Sequence, residues 1–193
     1  MGNVLVDFTP MRFCAEVSAD LNQIQHLAKG IFYTQVWLDL DAGKLSEDEA
    51  LFDILQNFEL EEHELVKKIF YSWDEWMHEK EGMFEIMQSL KEKGYRLILA
   101  SNASVRYHRY IHHLKIFELF DDLVYSCDLK LLKPQTAFFD SICELKKIEA
   151  KETLFIDDSF ENCRTAQKCG FHTYHFIGDV KSFKETLIKT HIL

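Results

Sequence analysis

The chain has 193 residues, is 47% apolar and carries a formal net charge of −10 at pH 7. That length and apolar content suffice to bury the core of one domain plus a small appendage. The acidic balance excludes nucleic acid or an anionic membrane as the main partner. Five cysteines without Cys-x-x-Cys spacing, and no secretory or transmembrane stretch, read as reduced packing thiols of a cytoplasmic protein.

From about Phe13 to His78 every segment reads as helix. Ser46-Glu47-Asp48-Glu49 has the form of a capping box, opening a helix with Ala50, Leu51, Ile54 and Leu55 on one side. Leu65, Ile69, Trp73 and Trp76 repeat at helical spacing behind it. From Met83 onward helices and strands alternate. Met83, Ile86, Met87 and Leu90 form a helical stripe that Lys93-Gly94 ends. Apolar strands are expected at 96–100, 123–125, 154–156 and 173–176, with helices near 107–114, 134–147 and 162–169. Alternating βα units with continuous apolar strands predict an α/β fold: a parallel, Rossmann-like sheet with helices on both faces. Residues 1–12 and 80–193 form that core, and 13–79 form a small all-helical cap inserted into it.

Polar residues gather at the strand ends, where ligands bind in open α/β sheets. The run Thr153-Leu154-Phe155-Ile156-Asp157-Asp158 drives a short apolar strand into two carboxylates, and Asn162 follows four residues after Asp158. Hard oxygen donors crowded at one strand end suit Mg²⁺. A helix starting at Ser159 lets Asp158 and Asn162 face one point. Ser101-Asn102 follows another strand. Lys133 precedes Pro134, which suits the first position of a helix and holds the residue before it extended. A hydroxyl, a lysine and an acidic metal site together can stabilise a phosphoryl group in transfer.

The order Ser101-Asn102, then Lys133-Pro134 with Phe138, then Asp157-Asp158-x-x-x-Asn162 resembles three of the motifs of the haloacid dehalogenase-like hydrolase superfamily. The helical block matches that family's small cap. The resemblance implies Mg²⁺ as cofactor, a small phosphorylated metabolite as partner, and an Asp nucleophile that takes the phosphoryl group before water releases it. It gives Ser101 and Asn102 to the phosphoryl oxygens, Lys133 to the nucleophile and phosphate, and Asp158 to Mg²⁺ with Asp157 and Asn162 in support. Members with this kind of opening read four apolar residues, then Asp-Leu or Asp-Met, then Gly-Asn-Val. Here Met1 falls on the residue after the nucleophile, and Gly2 stands where many members carry a second Asp. The expectation is that Met1 is internal to a longer protein, or that the chain is a true truncation in which Val4-Leu5-Val6 cannot replace the lost central strand. That loss would leave unpaired backbone groups on two neighbouring strands, at roughly 1–3 kcal/mol each.

Other groups have plainer readings. His108 and His112 have a zinc-compatible spacing but no evident third ligand. His172 and His175 flank a strand. Trp37, Trp73 and Trp76 read as cap packing, Asp39 and Asp41 as a solvated turn, and Asp7 as support for the catalytic loop. The leading function is a Mg²⁺-dependent phosphatase of small esters such as sugar phosphates, a monomer or weak homodimer, with residues 1–193 inactive as they stand. The alternatives are a catalytically inactive Mg²⁺/phosphate-binding module and a 2-haloacid dehalogenase. A carboxylate pair beside an Asp nucleophile needs a cation, which argues against the dehalogenase.

Overall fold

A computed structural model describes residues 1–110 and 113–193, with backbone alone at 109 and 110. Between 10 and 76 every described element is helical: α1 (Pro10–Ala15), α2 (Leu21–Phe32), α3 (Gln35–Asp41), α4 (Glu47–Leu55) and α5 (His63–Ser72), the last running into a 3-10 turn over Trp73–Trp76. Local chemistry sets several of these starts. Asp20 and Thr34 accept the backbone N–H three residues on, and Ser46 and Glu49 form the expected capping box at α4.

The second half alternates: α6 (Met83–Glu92), β1 (Ile98–Ser101), α7 (Tyr107–Tyr110), β2 (Asp122–Tyr125), α8 (Ser126–Leu129), α9 (Thr136–Lys146), β3 (Leu154–Asp157), α10 (Phe160–Lys168), β4 (His172–His175) and α11 (Val180–Lys189). The stripe Met83, Ile86, Met87, Leu90 is buried, and Gly94 follows α6 at φ +85°, the left-handed conformation that glycine adopts without strain. The expected α/β class with parallel strands is what folds. A large apolar core runs without interruption from Met1 through the helical segment to Leu187, while Val124, Phe138, Phe139, Ile142, Ala166 and Phe171 form a second cluster.

The strands form two pairs instead of one sheet. β1 pairs with β2 and β3 with β4, both parallel, and among the described residues no strand pairs with the other edge of β1 or of β3. The carboxyl ends of β1 and β3 are instead bridged by a side chain, Lys133. Val4-Leu5-Val6 lies in a turn in which the Met1 carbonyl accepts N–H groups from Val4, Leu5 and Val6; isolated bridges join Gly2 to Val6 and Val6 to Glu79.

Arg106, in the loop after β1, fastens the helical segment to the strands. Its guanidinium donates to Glu47 (2.6 Å) and to the Phe70 carbonyl (2.6 Å), lies 3.4 Å from Asp74, and stacks over Phe70 and Tyr71. Pro134 departs from expectation. The Lys133–Pro134 peptide is cis and α9 begins at Thr136, so Pro134 lies ahead of the helix and not at its first position.

Candidate active site

Six residues marked in the sequence come together around one cavity of about 180 Å³: Ser101, Asn102, Lys133, Asp157, Asp158 and Asn162. β1 delivers Ser101, β3 delivers Asp157, and α10 delivers Asn162. Lys133 comes from the loop before α9 and is clamped through its backbone. Asn102 Nδ2 donates to the Lys133 carbonyl (3.0 Å), and the Lys133 N–H donates to Asn102 Oδ1 (2.8 Å). Both polar ends of the Asn102 side chain are therefore engaged, which makes it a positioning group for Lys133; Ser101 Oγ, the hydroxyl of that strand end, donates to the Asn102 carbonyl (3.2 Å).

Lys133 Nζ donates to the Ala100 carbonyl (2.9 Å) and to Asp157 Oδ2 (2.6 Å), with both side chains only 4% exposed. Asp157 Oδ1 accepts from the Ser159 N–H (2.9 Å) and from Asn162 Nδ2 (2.9 Å). Burial alone would raise the Asp157 pKa, but Lys133, the Met1 amine and the Ser159 N–H together hold it below the usual carboxylate value. Asn162, the third residue of α10 after the Ser159 cap, commits its Nδ2 to Asp157 while lining the same cavity as Asp158. Asp158 is more open. One of its oxygens accepts from Asn3 Nδ2 (3.0 Å), and His175 Nε2 lies 3.0 Å from its carbonyl oxygen. Met1 lines the same cavity, and burial followed by the Lys133 charge lowers its α-amine to about 6 against the pull of Asp157 and Asp158.

Phe8, Trp37, Asp41 and Tyr107 line the same cavity; of these, Trp37 reads in sequence as cap packing and Asp41 as part of a solvated turn. Asp39 and Asp41, read together as a solvated turn, sit in the last turn of α3 and part company there. Asp39 bonds Lys44 at the surface (2.8 Å), whereas Asp41 faces the cavity. Residues two apart on a helix are about 200° apart around its axis, and that periodicity is the signal that separates them. Trp37 lies four before Asp41 on the same face and is buried. Burial pushes the Asp41 carboxyl up to about 7, opposed by a hydrogen bond from the Ser104 N–H.

Other marked groups lie outside this cavity. His108 Nε2 is 3.0 Å from Asp128 Oδ1, with Cys127 close by; His112 lies outside the described residues. Asp7 pairs with Lys80. All five cysteines are unbridged, and among the described residues no helix is long and apolar enough to cross a membrane. A larger hollow of about 580 Å³ beside α1 and α2 contains none of the motif residues.

Residues 38–176 match the family model described as haloacid dehalogenase-like hydrolase. The chain belongs to that family. Two curated relatives bear the names of phosphatases. A sesquiterpene phosphatase of Aspergillus oryzae is 22% identical over 96% of this chain and 91% of its own length. A pyrophosphatase of Bacillus mycoides is 26% identical over 69% of this chain, and the match spans only 57% of that relative. Among solved structures, a HAD family enzyme of Bacteroides thetaiotaomicron, in a mutant form complexed with magnesium and inorganic phosphate, superposes with a TM-score of 0.75 at 21% identity, covering 96% and 95% of the two chains. A dehalogenase solved with an intermediate gives 0.72 at 18% identity over 97% and 93%. These likenesses establish the fold of this haloacid dehalogenase-like hydrolase.

Proposed function

We propose that the cavity serves a Mg²⁺-dependent phosphatase of small phosphate esters, with the helical segment 13–79 acting as its cap. The observation that carries this reading is the buried Lys133 ammonium, fixed between the Ala100 carbonyl and Asp157 beside the Ser101 hydroxyl and the Asp158 carboxylate. A cation, a hydroxyl donor and a carboxylate around one small cavity match the needs of a phosphoryl group. The names of the two curated relatives, and the magnesium and phosphate of the Bacteroides enzyme, point the same way.

Asp158 would hold the Mg²⁺. Its carboxylate is a hard oxygen donor, as Mg²⁺ requires, and its one side-chain partner among the described residues is the neutral amide of Asn3. Asp157 is less suited, since Lys133, Ser159 and Asn162 already occupy both oxygens. When bound, the ion neutralises charge on the phosphoryl oxygens. Lys133 adds a fixed positive charge, and Asn102 and Asp157 keep it from swinging away. Ser101 donates its O–H to a phosphoryl oxygen. The protein is taken to be cytoplasmic, and a monomer or weak homodimer.

The resembled family attacks with an Asp placed just before Met1. A residue joined to the Met1 amine would stand among Lys133, Asp157 and Asp158, whose charges that amine feels. Residues 1–193 by themselves are therefore proposed to bind phosphate with Mg²⁺ but not to turn an ester over. The test compares this chain with one extended at Met1 by a short apolar segment ending in Asp. Calorimetry of the 193-residue chain should show phosphate binding that a chelator or Asp158→Ala abolishes. The extended chain should hydrolyse 4-nitrophenyl phosphate, again through Asp158. Turnover by the unextended chain would sink the inactivity claim, and an extended chain that binds phosphate yet releases none from any ester would sink the phosphatase.

A further inference from the structure

Asp41 occupies a costly position. Its side chain is only partly exposed, it ends α3 where the negative pole of the helix lies, and no cation pairs with it among the described residues. What it has is one hydrogen bond from the Ser104 N–H, with Tyr107 and Cys127 as its ionisable neighbours. Buried polar groups find partners, and an under-partnered carboxyl facing a ligand cavity marks a functional position.

The position is also held rigidly. Ser126 Oγ donates to the Asp41 carbonyl (2.5 Å) while accepting from the Ala103 N–H (2.8 Å). Lys130 Nζ donates to the Gly43 carbonyl. Gly43 itself has φ +64°, and a Cβ there would lie 2.5 Å from the Cys127 carbonyl oxygen. The end of α3 is thus docked onto the residues after β1 and β2, and the Asp41 carboxyl is aimed at a fixed point beside Tyr107 and Trp37.

Resting on the phosphate-site reading above, we propose that Asp41 is the specificity residue of this cavity and hydrogen-bonds a hydroxyl on the alcohol part of the ester, so that the site selects hydroxyl-bearing phosphates over alkyl or prenyl phosphates. A hydroxyl can both donate and accept, so it satisfies the Asp41 carboxyl in either protonation state, and that carboxyl is balanced between the two near neutral pH. A hydrocarbon chain in the same place would leave the carboxyl without a partner, which is the larger penalty.

The experiment is calorimetric titration of the 193-residue chain in Mg²⁺ with inorganic phosphate, glycerol 1-phosphate and propyl phosphate. The two esters share a carbon skeleton and differ by two hydroxyls. Glycerol 1-phosphate should bind about tenfold more tightly than propyl phosphate, the size expected of a hydrogen bond to a charged group. Asp41→Ala should erase that ratio and leave inorganic phosphate within about twofold of the parent. Asp41→Asn, which keeps shape and hydrogen-bonding capacity, should retain part of the preference, so that loss of folding in the alanine variant cannot imitate the result. Propyl phosphate binding as tightly as glycerol 1-phosphate, or an unchanged ratio in Asp41→Ala, overturns the assignment while the phosphate site stands. Absence of binding by all three ligands overturns the phosphate site and this inference with it.

Discussion

Asp157 and Asp41 are two carboxylates on the same cavity, one from the strand side and one from the helical side, and their surroundings push them in opposite directions. Asp157 has an ammonium, a backbone N–H and an amide on its two oxygens, and its carboxyl stays ionised below the usual range. Asp41 has one backbone N–H and, among the described residues, no cation, and burial lifts it to about 7. The strand side is a finished electrostatic unit, whereas the helical side is left incomplete. The difference shows that burial by itself does not set the state of a carboxylate; the partners do.

Removing the partner is the sharpest way to break the contrast. Lys133→Met leaves Asp157 buried and uncompensated, which should cost about 3–5 kcal/mol of unfolding free energy. Urea denaturation at pH 7 checks this. A loss under about 1 kcal/mol would mean that the other donors suffice. Adding Asp157→Asn to Lys133→Met should recover most of the loss, because no buried charge then remains.

The next effect sharpens the contrast through pH. Because the Asp41 pKa is raised to about 7, between roughly pH 4 and 7 the unfolded chain ionises this group while the native chain keeps its proton. Its contribution to stability is therefore present in acid, falls as pH rises through that window, and is lost above it. Asp41→Asn should match the parent at pH 4 and exceed it at pH 8 by on the order of 2 kcal/mol, a figure reduced for partial exposure. The Asp157 contribution has the opposite sign: present above about pH 4 and lost as acid protonates it. Denaturation curves across pH 3–9 distinguish the two, and a parent-to-variant gap that does not change with pH would remove Asp41 from the comparison.

The smallest effect is a control away from the cavity. Ser46→Ala deletes the capping box of α4 and should cost about 1 kcal/mol, leaving phosphate affinity unchanged. A variant that lost affinity as well would show that the cavity responds to general loosening of the helical segment, and would weaken conclusions drawn from either carboxylate.

Much of the site was legible because its residues sit where local sequence makes them conspicuous. An apolar run ending in Asp157-Asp158 can be seen without a structure, and so can Ser101-Asn102 after another such run. The roles within the site were less legible. Asn102 was assigned to the phosphate, yet its amide is committed to the Lys133 backbone thirty-one positions along the chain. Asn162 was paired with Asp158; its Nδ2 is committed to Asp157, and both residues line the cavity. Asp41 was read as part of a solvated turn, and Tyr107 and Arg106 were not singled out, since their partners lie far away in sequence.

By itself the sequence determined what short-range physics controls: the helical first half, the alternating second half, the capping box at Ser46 and the polar residues at the strand ends. Hydrophobic period and side-chain-to-backbone bonding act over a few residues and leave their mark in a short window. Only the tertiary structure decided that the four strands form two separate pairs, that Lys133 spans the ends of β1 and β3, and that Asp41 faces the cavity while Asp39 faces water. Those outcomes depend on which distant groups displace water from one another, and burial converts the same carboxyl group into a held anion at Asp157 and a half-neutral acid at Asp41.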